Sequence, residues 1–305
     1  MDGPNDVTLY LDAGLLESAR GGKHNFLNLL SEVLRNAGLS VHYTENTAVA
    51  RMTAERRPGY ALYHMEEPIH DRALTLRRSY FYPFWHIEGT NLRWDWDVAL
   101  SEFDEGEVDR AEADRFFRFW QRRLFQWRPF KAERGDYIYV PLQGLIRQHR
   151  SFQHCSPIDM LAEVARRYPD RQIKATLHPN EDYTGTDRMA LAQLIGEHPR
   201  VELVNEPMEW LLQSCDFVVT ENSGVAFKGF FFRKPAVLFA AVDFHHIAGS
   251  VMRDGLDAAF AVTDGPEPDY AGYVWWFLQV MAINAGREDA KDKIAATLRG
   301  HGWPV

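Results

Sequence analysis

The sequence predicts an α/β protein of two domains, each built on a parallel sheet. Two observations carry this. Short apolar runs alternate with stretches of helical period, and a strand–helix–strand order calls for a parallel sheet. The alternation occurs on both sides of a polar segment at 131–136, and 305 residues suffice for two modest domains.

In chain order, 7–11 (VTLYL) reads as a buried strand, followed by a loop that holds Gly21-Gly22. Phe26, Leu27, Leu29, Leu30, Val33 and Leu34 recur at helical spacing, so 24–36 reads as a helix. Gly38 stops it, 39–43 is the next strand and 60–64 a third. Between 94 and 114 lie nine acidic residues and one base, Arg110. Between 115 and 131 there are six basic residues, seven aromatics and no acid. Periodicity favours a helix there, ending near Arg128-Pro129. It is expected to bridge the domains with its aromatics in their interface, although its arginines also suit anionic lipid or a polyanionic glycan. Residues 131–136 then form a linker between a domain at 1–130 and one at 137–305.

The second half repeats the pattern more clearly. Strands are expected at 137–141, 172–177, 201–204, 217–220 and 236–239. Helices are expected at 157–168, 187–196, 208–214, 225–232 and, closing the chain, 273–285.

Composition excludes several classes. A net charge of −9 argues against wholesale nucleic-acid binding. Cys155 and Cys215 alone cannot supply a disulfide framework or a cysteine-rich zinc site. The run 236–242 falls far short of the roughly 20 apolar residues of a membrane span. The first residues lack the basic start and apolar stretch of a signal peptide, so a cytoplasmic protein is expected.

In open parallel sheets, ligands bind outside the carboxyl ends of the strands. At those ends in the second half sit Gln143, His178, Asn222 and Ser223, each just after an apolar run. Ser223-Gly224 opens a helix, whose free backbone N–H groups favour a phosphate. His178 is able to donate to the same phosphate, and Lys174 adds charge nearby. Each residue alone also fits a plain role as helix cap or strand stop; their recurrence on three strand ends of one sheet favours a site.

The stretch 137–247 resembles bacterial capsule-polysaccharide glycosyltransferases of the Kdo-transferase type and, more loosely, the glycerophosphotransferases of teichoic-acid assembly. The resemblance lies in Val140-Pro141-Leu142-Gln143 and in Lys174 with Leu177-His178-Pro179. It continues in 216–220 (DFVVT) leading into Asn222-Ser223, and in Lys234-Pro235-Ala236-Val237. It implies two Rossmann-like domains facing across a cleft, the GT-B arrangement. A nucleotide-sugar donor, CMP-linked in the Kdo type, would be held by the C-terminal domain with no further cofactor. By the same resemblance, His178 and Ser223 contact the donor phosphate and Gln143 lines the cleft. Where that family carries a Glu for the donor ribose, this sequence has Lys228, which donates hydrogen bonds and cannot accept them. Glu221 is the nearest carboxylate able to take that role.

The resemblance leaves acceptor binding and the catalytic base to the N-terminal half. A base requires a carboxylate or imidazole within reach of the acceptor hydroxyl. The candidates are Asp12 after the first strand, His24 at the start of the first helix, and the pair His86 and Glu88. That pair lies in 85–91 (WHIEGTN), which reads either as a sugar-binding cluster or as a turn. Asp95-Trp96-Asp97 matches the Asp-x-Asp of metal-dependent transferases, but the acidic block makes such a pair easy to find by chance. His149 with His154, and His245 with His246, lack the spacing of a zinc site, so no metal is expected. His245-His246 suits contact with the donor or a solvated loop.

The expected function is transfer of a sugar from a nucleotide-activated donor to a surface polysaccharide or glycolipid, at most peripherally at the inner membrane. A catalytically inactive GT-B-like protein that binds glycan or a partner, and a glycerophosphate-type transferase, are the alternatives.

Overall fold

The computed structural model describes residues 3–305. The chain forms two compact units, Met1–Ser101 together with Phe277–Val305, and Glu102–Trp276. The first runs β1 (Asp6–Leu11), α1 (Ala13–Arg20), α2 (Asn25–Asn36), β2 (Ser40–Glu45), α3 (Ala48–Ala54), β3 (Tyr60–His64), β4 (Ala73–Arg78), β5 (Phe84–Glu88) and α4 (Asp97–Leu100). The second begins with α5 (Arg110–Phe125), β6 (Tyr137–Pro141), α6 (Pro157–Arg167), β7 (Gln172–Thr176), α7 (Gly185–Glu197), β8 (Val201–Leu203) and α8 (Met208–Ser214). It continues through β9 (Val218–Thr220), α9 (Gly224–Phe230), β10 (Ala236–Leu238), β11 (Gly249–Ser250), α10 (Val251–Asp254), α11 (Leu256–Ala261) and α12 (Tyr270–Trp275). Finally β12 (Ile283–Asn284) and α13 (Ala290–Gly300) return to the first unit.

Both units are Rossmann-like. In the first, the strand order is β12-β5-β4-β3-β1-β2. The strands β1 to β4 are parallel, β5 runs antiparallel to β4, and β12 antiparallel to β5. In the second, the order is β11-β10-β9-β6-β7-β8, parallel throughout. Parallel sheets are covered on both faces, which is why these strands read as continuous apolar runs. Side chains alternate between faces. Leu9 and Leu11, Leu62, Leu74 and Leu76 therefore share one core with Phe26 and Leu30 of α2 and Ile294 and Leu298 of α13. Tyr10 and Tyr63 occupy the other face.

Several sequence expectations change. The expected linker at 131–136 lies inside the second unit, so neither 1–130 nor 137–305 is a compact unit. The cause is packing at both ends. On α5, Phe117 stacks on Phe231, their ring centroids 5.5 Å apart, and Phe125 packs on Phe232 at 5.0 Å, which joins this helix to the second unit. The closing helix expected at 273–285 is cut in two: α12 stays with the second unit, while Ile283 pairs with Trp85 of β5 in the first. The expected turn at 85–91 starts as β5. Both β4 and β5 escaped the apolar-run criterion because they bury Thr75, His86 and Glu88 within them. The loop expected after β1 is α1. No helix among the described residues is long and apolar enough to cross a membrane.

Candidate functional site

In the second unit, the chain winds from β6 through β7 to β8 on one side and from β9 through β10 to β11 on the other. The switch point therefore lies between β6 and β9, where the two loops diverge and leave a crevice at the carboxyl ends. A cavity of about 410 Å³ occupies this place. Leu142 beyond β6, His178 beyond β7, Asn205 and Glu206 beyond β8, and Ser223 beyond β9 all line it. Apolar side chains, among them Leu177, Leu203, Val204 and Met208, make up much of the remaining wall. A mostly apolar cleft with a few convergent polar groups is the usual form of a small-ligand site.

Ser223 is the N-cap of α9, and its Oγ accepts the Val225 N–H at 3.3 Å. The capping role is thus realised, and the hydroxyl proton remains available to donate into the cavity. Gly224 is the first residue of the helix. On the exposed rim, His178 Nδ1 accepts the Asn180 N–H at 3.3 Å, and Tyr183 Oη accepts the His178 N–H at 2.8 Å. Among the described residues, Nε2 of His178 has no hydrogen-bond partner. The Asn180 bond orients the ring, and the Tyr183 bond holds the backbone just beyond β7.

The other residues expected at the donor do not line the cavity. Gln143 Oε1 accepts the Asn222 N–H at 3.3 Å, and Asn222 Nδ2 donates to the Ala241 carbonyl at 3.4 Å, so this pair braces the β9–α9 turn. Lys174 Nζ bonds Glu206 Oε1 at 3.0 Å and lies over the Tyr137 ring, neutralising a carboxylate of the wall instead of meeting a ligand. Lys228 lies half-buried in the last turn of α9. Glu221 is 1% exposed, and neither of its carboxylate oxygens has a hydrogen-bond partner. Burial pushes its pKa up from 4.5 to about 8, against the opposing charge of Arg150. It is a sealed acid that does not line the cavity. Asn205 and Glu206 were missed because 204–206 reads as a plain connector, yet it obeys the same strand-end rule that found His178.

The first unit has its own switch point, between β1 and β3. Asp12 follows β1 and caps α1 through Oδ1, while its Oδ2 lies 3.0 Å from Nδ1 of His64, the last residue of β3. Burial lowers the His64 pKa; Asp12 opposes this, and Arg77 and Arg78 reinforce it. The ring is therefore neutral near pH 7, with Nδ1–H toward Asp12 and a lone pair on Nε2. His24 caps α2, its Nδ1 accepting the Leu27 N–H at 3.3 Å. Burial lowers its pKa as well. His24 and His64 both stand against Trp85, at 5.3 and 6.4 Å between ring centroids.

The structure thus gathers Asp12, His24 and the unforeseen His64, and separates them from His86 and Glu88. The latter lie 3% and 5% exposed, and alternation along β5 turns them to the face opposite Trp85. A base so buried does not meet an acceptor. His64 had one sequence signal, its place at the end of a strand. Among the remaining candidates, Asp95 lies exposed in a short 3₁₀ turn. The His149 Nε2 lies 2.8 Å from the Gln153 carbonyl, and the His154 ring packs on Phe239. His245 and His246 stack on each other, and His246 Nδ1 is 3.0 Å from Tyr273 Oη.

The buried stripe of α5 (Ala113, Phe117, Trp120, Gln121 and Phe125) belongs to the second unit, where Phe117 and Phe125 pack on Phe231 and Phe232 and Gln121 Nε2 donates to the Phe231 carbonyl at 2.7 Å. The far side differs. Arg115, Arg118, Phe119, Arg122 and Arg123 form an open depression. Phe119, Trp127, Phe130 and Trp210 are each about half-exposed. Arg128 lies over both Trp127 and Trp210, 5.0 and 5.1 Å from their ring centres.

No family model and no curated protein matches the chain. Among solved structures, the β-Kdo 2,7 transferase of Thermosulfurimonas dismutans KpsC aligns over 97% of this chain and 99% of its own, with a TM-score of 0.53 at 10% identity. The β-Kdo 2,4 transferase of the same protein aligns over 89% of each chain, at 13% identity and a TM-score of 0.48. The first likeness is one of fold: the chain has the two-unit, Rossmann-like α/β fold of a GT-B glycosyltransferase structure.

Proposed function

We propose that this protein is a glycosyltransferase that takes a sugar from a nucleotide-activated donor and passes it to a hydroxyl of a surface polysaccharide or glycolipid. The observation that carries the reading is the convergence of Ser223 and His178 on one cavity at the switch point of the second unit. A donor phosphate there accepts from Ser223 Oγ–H and the His178 imidazole, and the apolar wall takes the nucleoside. The fold shared with a solved Kdo transferase supports the same class, and makes a CMP-linked donor the first to try.

In the reaction, the acceptor oxygen forms a bond to the anomeric carbon, and the bond from that carbon to the donor phosphate oxygen breaks. The acceptor proton passes to a neutral imidazole, and His64, oriented by Asp12, has the required form. The nucleotide leaves carrying the electron pair, and its growing charge is met by the Ser223 and His178 donors. The basic, aromatic side of α5 supports a peripheral contact with anionic lipid, where a glycolipid acceptor resides.

Calorimetry of the full chain with CMP-, UDP- and GDP-sugars tests the reading. One of these donors is expected to bind, and Ser223→Ala and His178→Ala are each expected to weaken it by roughly tenfold, the usual loss of a hydrogen bond to a charged group. Absence of binding to every donor overturns the proposal. Binding without transfer to any acceptor would make the protein a binding module, the role that Lys228 in place of a glutamate would favour.

A further inference from the structure

We propose that Glu88, Asp97 and His301 form a divalent-cation site, best suited to Zn²⁺, that fastens the C-terminal return of the chain to the sheet of the first unit. Their donor atoms all lie within 4.8 Å of one another. Glu88 ends β5, Asp97 opens α4, and His301 is the C-cap of α13.

The environment of Glu88 provides an independent indication. Its carboxylate is more than nine-tenths buried, yet among the described residues its polar contacts are two, both at 3.4 Å: the Asp97 N–H toward Oε2 and His86 Nδ1 toward Oε1. Among the described residues, no lysine or arginine forms an ion pair with it. A carboxylate withdrawn from water requires full hydrogen bonding or a counter-charge, and here neither is complete. His86 is just as buried, aims Nδ1 at this carboxylate, and has no partner on Nε2. Carboxylates that ligate a metal are themselves held by a polar neighbour, and His86 stands in that position behind Glu88.

The chemistry of the donors selects the cation. Two carboxylates balance a double positive charge, and one imidazole favours zinc over magnesium or calcium, which take oxygen alone. Water completes the coordination through the exposed side, where Asp97 lies open and His301 half-open. Asp95 is no part of this group, so the site is not the Asp-x-Asp of a metal-dependent transferase. Glu88 also points to the face of the sheet opposite Trp85, against which His64 stands. The role of the site is mechanical. Ile294, Leu298 and Trp303 complete the core of the first unit, and a cation on His301 holds the segment that carries them.

The test uses the full-length protein freed of metal by a chelator. Zinc titration, with elemental analysis after dialysis, is expected to give one strongly bound equivalent per chain and a rise in Tm. Asp97→Asn and His301→Gln, both at accessible positions, are each expected to weaken zinc binding at least tenfold with unchanged circular dichroism. Cys155→Ser is expected to leave it intact. Glu88→Gln removes the buried charge, so it is expected to lose the zinc while raising the Tm of the metal-free protein. Failure to bind a stoichiometric zinc overturns the proposal, as does binding that survives the Asp97→Asn, His301→Gln double variant. Tighter binding of magnesium or calcium than of zinc overturns the choice of cation.

Discussion

Two side chains at strand ends show how much depends on what surrounds a titratable group. Glu221 titrates near 4.5 in the unfolded chain and near 8 in the folded one. Between those values the folded state keeps a proton that the unfolded state has released. Its contribution to stability is therefore full below pH 4.5 and is lost as pH rises toward 8. The loss by pH 7 is on the order of a few kcal/mol. Glu221→Gln keeps the shape without the charge, so denaturation curves at pH 5, 7 and 8 should be flatter with pH than those of the parent; an unchanged slope would exclude this residue as the source. His64 shifts the other way. Burial lowers its pKa, so the neutral base persists into mildly acid solution and the rate should fall only below its ordinary titration range. Asp12 raises that pKa, so Asp12→Asn should move the acid limb to lower pH. His64→Ala should cut kcat by roughly a hundredfold or more while donor affinity holds; equal losses in both would point to misfolding. The sequence revealed His178 and Ser223 because an apolar run ending in a polar residue is a local pattern. It did not reveal the Asp12–His64 pair, since that depends on β1 lying beside β3.

At the scale of one element, α5 shows why composition was a partial guide. Its aromatics and arginines were plain in the sequence, but their distribution was not. Phe117, Trp120 and Phe125 fall on the buried stripe, whereas Phe119 and the arginines fall outside it. The exposed set, extended by Trp127, Phe130 and Trp210, has the charge and the amphipathic rings of a surface that meets anionic lipid. Each basic residue near such a surface contributes about 1 kcal/mol. Arg118→Glu combined with Arg122→Glu should therefore weaken sedimentation with vesicles rich in anionic phospholipid by more than tenfold, and added salt should do the same to the parent. Equal binding by parent and variant would remove lipid as the partner of this face. The helix ends at Gln126, whose φ of +57° breaks the helical path before Pro129 is reached. For that reason the expected end near Arg128-Pro129 came late.

For the whole molecule, the C-terminal return matters most. Ile283, Ile294, Leu298 and Trp303 are buried in the core of the first unit, although they come last in the chain. Burying one such side chain is worth roughly 1.5–3 kcal/mol, and together they approach the entire net stability of an ordinary domain. A chain shortened to residues 1–276 should lose the fold of its first unit. Limited proteolysis should then cut within 1–101 while 102–276 persists. Equal resistance of both parts would show that the return is dispensable.

By itself, the sequence determined the α/β class, most strands and helices of the second half, and the two strand ends where Ser223 and His178 meet one cavity. These follow from local periodicity and from the preference of polar residues for the ends of apolar runs. The tertiary structure alone decided the division of the chain, the separation of His86 and Glu88 from His24 and Asp12, and the sealing of Glu221. Each of these is set by which strands become neighbours and which face a side chain takes, and neither is encoded in the residues adjacent along the chain.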